Sequence, residues 1–303
     1  MSCYSAYGLT LASALPLPEL LVGKGRADVY IDLDRRECVA PHEHSPILCA
    51  SASPKRVHLM WGAVGDLLIE EGRRITVVPD PSAAEDALRL FVLGAGLGVL
   101  LHQRGLLILH ASAVVVHDRL VGFIGAKGWG KSTTVAFLHQ RGHALISDEL
   151  LAVCFDAHEN ALVIPGSPQM RLWSDTLVSI GGDPDSAVRV RSGIDKYTVN
   201  ATSFAPQALP FHRLYLLDTG DELAIQSMLP KEALFGIIPH LYASRFGTPF
   251  LQSTNADRSF HQVNLLLKKT SVKRLLRQWN LKQLPHVAQR IEQDILQEQH
   301  TSQ

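Results

Sequence analysis

Residues 125–132 read GAKGWGKS and satisfy G-x-x-x-x-G-K-[ST] at Gly125, Gly130, Lys131 and Ser132. The spacing suits a loop that wraps phosphate. Glycine lets the backbone turn through positive φ and approach a ligand closely, so successive N–H groups face phosphate oxygens. Lys131 then reaches the β- and γ-phosphates, Ser132 helps hold Mg²⁺, and the following helix N-terminus adds its positive dipole. Lys127, Gly128 and Thr133 complete the expected nucleotide-binding set. The expected ligands are ATP and Mg²⁺.

A phosphate loop works with an acid on a neighbouring strand. Two candidates compete. Asp148 and Glu149 end a short apolar run in RGHALISDEL, just after the loop helix, whereas Asp218 follows the longer run Leu214–Leu217. Asp218 is the neater Walker-type pattern. Sequence proximity favours Asp148, because a strand–loop–helix–strand unit returns it to the sheet edge of Gly125. On the residues alone both stay open, beside the reading that each merely caps a turn.

Arg171, Arg189, Arg191 and Lys196 follow the acidic pair. Arg171, Arg191 and Lys196 are candidates to neutralise a transferring phosphoryl group, a role worth about 10³–10⁵ in rate where an arginine finger supplies it. The alternative is a solvated loop charge. Arg258 to Ile291 contains no Asp or Glu; it is either a docking face for an acidic peptide or the exposed side of two helices. His42 and His44 suggest a metal pair without an identifiable third ligand, so they read as surface histidines. Trp129 either covers a nucleotide or packs on the sheet.

The elements that position these residues are legible in outline. Strands are expected at Tyr7–Ser13, Val29–Leu33, Val57–Trp61, Leu67–Glu70 and Ile75–Val78, then a helix over Ala83–Gln103 whose Gly94, Gly96 and Gly98 imply close packing. Leu107–Leu109, Ala113–His117 and Leu120–Ile124 read as strands, with His117–Arg119 a turn, and Ser132–Gln140 as the loop helix. Further strands are expected at Ala144–Ile146, Leu151–Phe155, Leu162–Ile164, Tyr197–Val199, Leu214–Leu217 and Leu223–Met228. Helices are expected at Lys231–Tyr242, Asn255–Leu267 and His286–Gln297. The order implies a β-rich N-terminal module over 1–80 and a mixed α/β core over 81–303.

Composition bounds the rest. With 303 residues, 46% of them hydrophobic and 19% charged, the chain can bury a sizeable core, which excludes wholesale disorder. Its 29 Lys+Arg balance 29 Asp+Glu, which argues against a nucleic-acid coating role. Cys3, Cys38, Cys49 and Cys154 form no CxxC pair and fit a reduced cytoplasm. The most apolar run, Leu90–Leu101, falls short of the roughly 20 residues that span a bilayer, and no basic segment precedes Leu9–Leu15 as a signal peptide requires. A cytoplasmic protein without a membrane partner is expected.

Together, His110 in LHAS, the loop at 125–132, Gly142-His143 and the adjacent acids Asp148-Glu149 resemble the HPr kinase/phosphorylase-like proteins over roughly residues 106–155. The resemblance implies a P-loop kinase core of the HPr kinase/phosphoenolpyruvate carboxykinase type, a mixed sheet flanked by helices. It implies Asp148 as catalytic base, Glu149 as a metal-side acid and His110 lining the site. Asp-Glu stands here where that family has Asp-Asp. From residue 155 the chain departs from true HPr kinases, and PGSPQMRLW at 165–173 is similar to the branch that phosphorylates the C-terminal Ser of lasso-peptide precursors. The resemblance therefore implies a serine kinase acting on a short precursor peptide. Its rivals are a free-serine or other small-molecule hydroxyl kinase, a nucleotide-sensing peptide-binding module, and an ATP hydrolase.

Overall fold

The computed structural model describes the chain apart from residues 40–45, 248–249, 251, 253–255 and 302–303 and the side chains of 298–301. His42, His44 and the start of the helix expected at Asn255 lie outside the described residues. The chain forms two compact units. One comprises Met1–Ile108 with Val190–Ile194 and Leu241–His261; the other comprises Leu109–Arg189, Asp195–His240 and Gln262–Gln303. The division falls after Ile108, and not near residue 80, because the helices that follow Pro81 pack on the N-terminal strands.

The first unit is built on a sheet of β1 (Ser2–Ala6), β2 (Leu9–Ser13), β3 (Leu21–Val22), β4 (Val29–Leu33), β5 (Leu48–Ala52), β6 (Arg56–Trp61), β7 (Gly65–Glu70) and β8 (Arg74–Pro79). Their order is β3-β1-β2-β4-β8-β7-β6-β5. Alternate residues face one core: Val57 and Leu59, Leu67 and Ile69, Ile75 and Val77 are all buried, as the period of two requires. The helix expected over 83–103 is broken into α1 (Glu85–Phe91) and α2 (Leu97–Gln103) by a π-helical turn at Val92–Gly96. Its glycines explain themselves by contact. A Cβ at Gly96 would meet Leu67 and Ile75, and one at Gly98 would lie 2.3 Å from the Tyr242 ring.

The chain leaves this unit through β9 (Leu107–Leu109). In the second unit, β10 (Ser112–Val116) and β11 (Arg119–Ile124) form a hairpin whose turn residues His117 and Asp118 have φ of 46° and 61°. Positive φ at both central positions matches the twist of the flanking strands. The loop helix α3 (Lys131–Gln140) leads to β12 (Ala144–Ser147), β13 (Leu151–Phe155) and β14 (Ala161–Ile164). A small sheet follows, from β15 (Gln169–Trp173), β16 (Val188–Arg189) and β17 (Lys196–Asn200), with α4 (Ser174–Ser179) after β15. Then come β18 (Leu209–Thr219), β19 (Ala224–Ser227), α5 (Pro230–Ile237) and β20 (Ser271–Arg277). The main sheet runs β12-β10-β11-β18-β14-β13, with β20 parallel to β18 from Arg213 onward. Val114, Phe123, Val135, Leu138, Tyr215 and Leu275 are buried together in its core, with Val287 and Ile291 of the closing helix Leu284–Thr301.

Three expectations are corrected. The stretch around 165–173 contributes a strand, β15, where none was expected. The helix expected over Lys231–Tyr242 ends at Ile237 and continues as a 3-10 turn over Ile238–His240, because Pro239 has no N–H to extend it. The acid-free stretch is not a free basic face: Lys273 pairs with Asp294 at 2.8 Å, Arg258 donates to the His102 carbonyl at 2.9 Å, and Arg277 is buried. Among the described residues, no helix is long and apolar enough to cross a membrane.

Candidate functional site

Register brings the chemistry to one end of the second unit's sheet. Ser112 opposes Phe123 and Ala113 opposes Ser147, so the start of β10 and the ends of β11 and β12 coincide. The glycine-rich loop leaves β11 at Gly125, Ser112 opens β10, and Asp148 directly follows β12.

The loop is braced from within. Trp129 N donates to Ala126 O at 3.1 Å, and both the backbone N–H and hydroxyl of Thr134 donate to Gly130 O at 2.8 Å. Gly128 and Gly130 have φ of 85° and 73°, the left-handed region that side chains resist. A Cβ at Gly128 would meet nothing within 4 Å, whereas one at Gly130 would lie 2.5 Å from Arg277 Nη2. That same Nη2 donates to Trp129 O at 2.8 Å. The buried Lys131 donates from Nζ to the carbonyls of Gly125 (2.8 Å) and Ala126 (3.2 Å). Thr133 Oγ1 lies 3.1 Å from Thr176 Oγ1, tying α3 to α4, and Lys127 is exposed.

Asp148 is the hub. Its Oδ1 accepts from Ser112 Oγ at 2.5 Å and Ser132 Oγ at 2.8 Å, and its Oδ2 accepts from the Arg171 backbone N–H at 2.9 Å. Glu149 turns away through a φ of 76°, an uncommon conformation for a side-chain-bearing residue. Its Oε1 accepts from Lys196 Nζ at 2.5 Å, and its carbonyl accepts from His110 Nδ1 at 3.1 Å. The carbonyl can only accept, so this contact places a proton on Nδ1.

The two acids are driven apart. Burial, then the neighbouring Glu149 charge, pushes the Asp148 carboxyl above the usual carboxylate range. Burial would also raise Glu149, but Lys196, Arg171 and His110 outweigh it and hold that carboxyl well below its usual range. Glu149 therefore stays ionised within a cluster of cations, and Asp148 is the acid whose proton is held more tightly.

Several sequence candidates fall elsewhere. Asp218 accepts from the Thr219 N–H at 2.8 Å and lies 3.8 Å from Arg274 Nε. Arg189 lies 3.8 Å from Asp195 and stacks over Tyr197. Arg191 belongs to the first unit, with its guanidinium 5.3 Å from the centre of the Trp61 ring. Three residues of the site carried no recognisable motif: Ser112, Arg277 and His240. The His240 carbonyl accepts from the His110 N–H at 2.8 Å, and burial together with the Lys131 charge pushes its imidazole down to about 4. Only the adjacency of Ser112 to His110 in LHAS hinted at any of them.

The donor set fits a hard divalent cation. Ser132, Asp148 and Glu149 offer oxygen ligands only, and two acids with a hydroxyl are too few for an all-protein cage. Magnesium binds in that manner, through one or two carboxylates, waters and the phosphates of a substrate. Among the described residues, no group of three or more His, Cys, Asp or Glu could hold a metal.

No family model matches the sequence, and no curated protein does. Among solved structures, the chain is similar to the Hpr(Ser) kinase/phosphatase from Coxiella burnetii, at 12% identity, covering 64% of this chain and 97% of that one, with a TM-score of 0.36.

Proposed function

We propose that this chain is an ATP-dependent phosphotransferase acting on a hydroxyl, with the C-terminal Ser of a ribosomally made, lasso-type precursor peptide as acceptor. The observation that carries the phosphotransferase reading is the placement of Asp148 against Ser132 at the end of the phosphate loop. The peptide acceptor is supported by the motif resemblance in the sequence. Four free cysteines without a CxxC pair support a cytoplasmic setting.

The loop N–H groups and Lys131 hold the phosphates, with the α3 N-terminus adding its dipole. Ser132, Asp148 and Glu149 would hold Mg²⁺, which when bound supplies charge neutralisation across the phosphates. Asp148 Oδ1 already accepts two hydroxyls, so Oδ2 is the atom that takes the proton from the acceptor hydroxyl. Arg171, through its backbone N–H, fixes the orientation of that oxygen. Lys196, paired with Glu149, fixes where that carboxylate stands. Because phosphoryl transfer passes through a loose transition state, positioning by these residues matters more than the basicity of Asp148.

The test offers ATP and Mg²⁺ with two peptide pools, one ending in Ser and one in Ala, and with free serine. Phosphopeptide from the Ser pool alone, formed at least about tenfold faster than phosphoserine, is the expected result. Phosphate release without phosphorylated product, or saturable ATP binding with neither, would overturn the reading.

A further inference from the structure

The first unit carries a groove of about 870 Å³ at one end of its sheet. Its wall is charged in an uneven way. Arg26, Lys55, Arg56, Arg73, Arg74 and Arg104 line it against the acids Asp28, Glu70 and Glu71. Part of this charge is used internally: Arg56 lies 3.5 Å from Glu70, Arg74 pairs with Asp32, and Arg104 donates to the Gly72 carbonyl at 2.9 Å. Among the described residues, the exposed side chains of Arg26, Lys55 and Arg73 make no ion pair. The lining thus holds six cations against three acids, an excess of positive charge.

The groove is also rigid. Its β7–β8 turn holds Glu71 and Gly72 at φ of 51° and 64°. Gln103 Oε1 accepts from the Gly72 N–H at 2.9 Å, and the Glu71 N–H donates to the Lys55 carbonyl at 2.7 Å. Lys55 and Arg73 thus sit on clamped turns, and little ordering of their backbone opposes binding. Beside them the ring of Tyr30 is exposed, with the Arg74 guanidinium 5.9 Å from its centre, an apolar platform within a cationic wall.

We infer that this groove docks an acidic, hydroxyl-independent segment of the peptide substrate, away from the residue that is phosphorylated. The inference rests on the peptide-acceptor reading above. Charge selects the ligand class. A nucleic acid needs a continuous positive track for its phosphates, and Asp28, Glu70 and Glu71 interrupt any such track here. A polypeptide with spaced Asp or Glu residues can meet Arg26, Lys55 and Arg73 singly and leave the interrupting acids facing water. The volume suits a few residues of extended chain, within the range of specific ligand sites.

The probe is a fluorescein-labelled pool of 12-residue peptides with four fixed Glu, the other positions drawn from Ala, Leu, Gly and Gln. It contains no hydroxyl, so it cannot be phosphorylated. Anisotropy without nucleotide is expected to show saturable, salt-sensitive binding, at least about fivefold tighter than for the matching pool with Gln for Glu. K55E with R73E, on exposed side chains, should abolish that preference and create one for a pool with Lys at the four positions. A double variant that fails to fold is recognised by circular dichroism, and K55Q with R73Q then takes its place, expected to erase the preference without reversing it. Equal affinity for the Glu and Gln pools, or tighter, substitution-sensitive binding of a 12-nucleotide single-stranded DNA or of tripolyphosphate, would overturn the proposal. Lys131→Ala should leave pool binding intact while removing transfer, so failure of the groove and failure of the kinase reading are told apart.

Discussion

Ser132 Oγ donates to Asp148 Oδ1 at 2.8 Å. This bond joins the first turn of the loop helix to the acid at the end of a strand two positions away in the sheet. It gives the glycine-rich loop and the acid one shared geometry, on which the proposed chemistry depends.

Lys131 is buried and donates inward, to the carbonyls of Gly125 and Ala126. Lys131→Ala should lower transfer at least about a hundredfold, the usual cost of losing one charge-stabilising donor. It should also cost about 1–3 kcal/mol of stability, because two carbonyls lose their partner. Single-turnover kinetics and urea unfolding measure the two effects separately, and near-normal transfer would refute the role of Lys131.

Gly130 and Arg277 constrain each other. Gly130→Ala adds a Cβ at φ 73° and 2.5 Å from Arg277 Nη2, so it should destabilise by at least about 1 kcal/mol from backbone strain alone. Arg277→Met, which removes the donor to Trp129 O, should cost about 1–3 kcal/mol and weaken ATP binding. The double variant should be less destabilised than the sum of the two. Strict additivity in a denaturant-based cycle would show that the contact does not limit the loop.

Glu292 gives a pH prediction away from the site. Its carboxylate accepts from Arg141 through two bonds of 2.7 Å and lies 2.8 Å from His143 Nε2. The Arg141 bonds, against an opposing effect of burial, bring its pKa from 4.5 to about 2. A carboxyl lowered on folding stabilises the fold above its unfolded pKa, and that stabilisation is lost as pH falls through the folded value. Arg141 is half exposed, so the effect is at most about 1 kcal/mol. Glu292→Gln should be less stable than the parent at pH 7, with the gap narrowing below pH 4.5. Urea titrations of both chains at several pH values check this; a gap independent of pH would contradict it.

The strand–loop–helix of the site was legible because its signals are local: glycines that need positive φ, a lysine, and an apolar strand before them. The His117-Asp118 turn was legible for the same reason. The choice between Asp148 and Asp218 was not, since it depends on the pairing of β10 with both β11 and β12. Residue patterns alone say nothing about that register. β20 leaves no strand pattern in the sequence because Lys273 and Arg274 interrupt its apolar residues, and the distant Asp294 shows why a lysine can stand there. Arg277 and His240 reach the loop through strand pairing and chain return, neither of which leaves a local mark. The division after Ile108 leaves no local mark: Pro79–Pro81 marks a turn, and the helices that follow it pack on β7 and β8.

The most direct test compares Asp148→Asn with Asp218→Asn, measuring the rate of phosphoryl transfer to the Ser-ending peptide pool at saturating ATP. The side chains are near-isosteric, so both variants keep the fold while each removes one carboxylate. Asp148→Asn should slow transfer by about 10²–10⁴, the range for loss of a positioned base, and Asp218→Asn by less than about threefold. A loss at Asp218 equal to or larger than that at Asp148 would contradict the account.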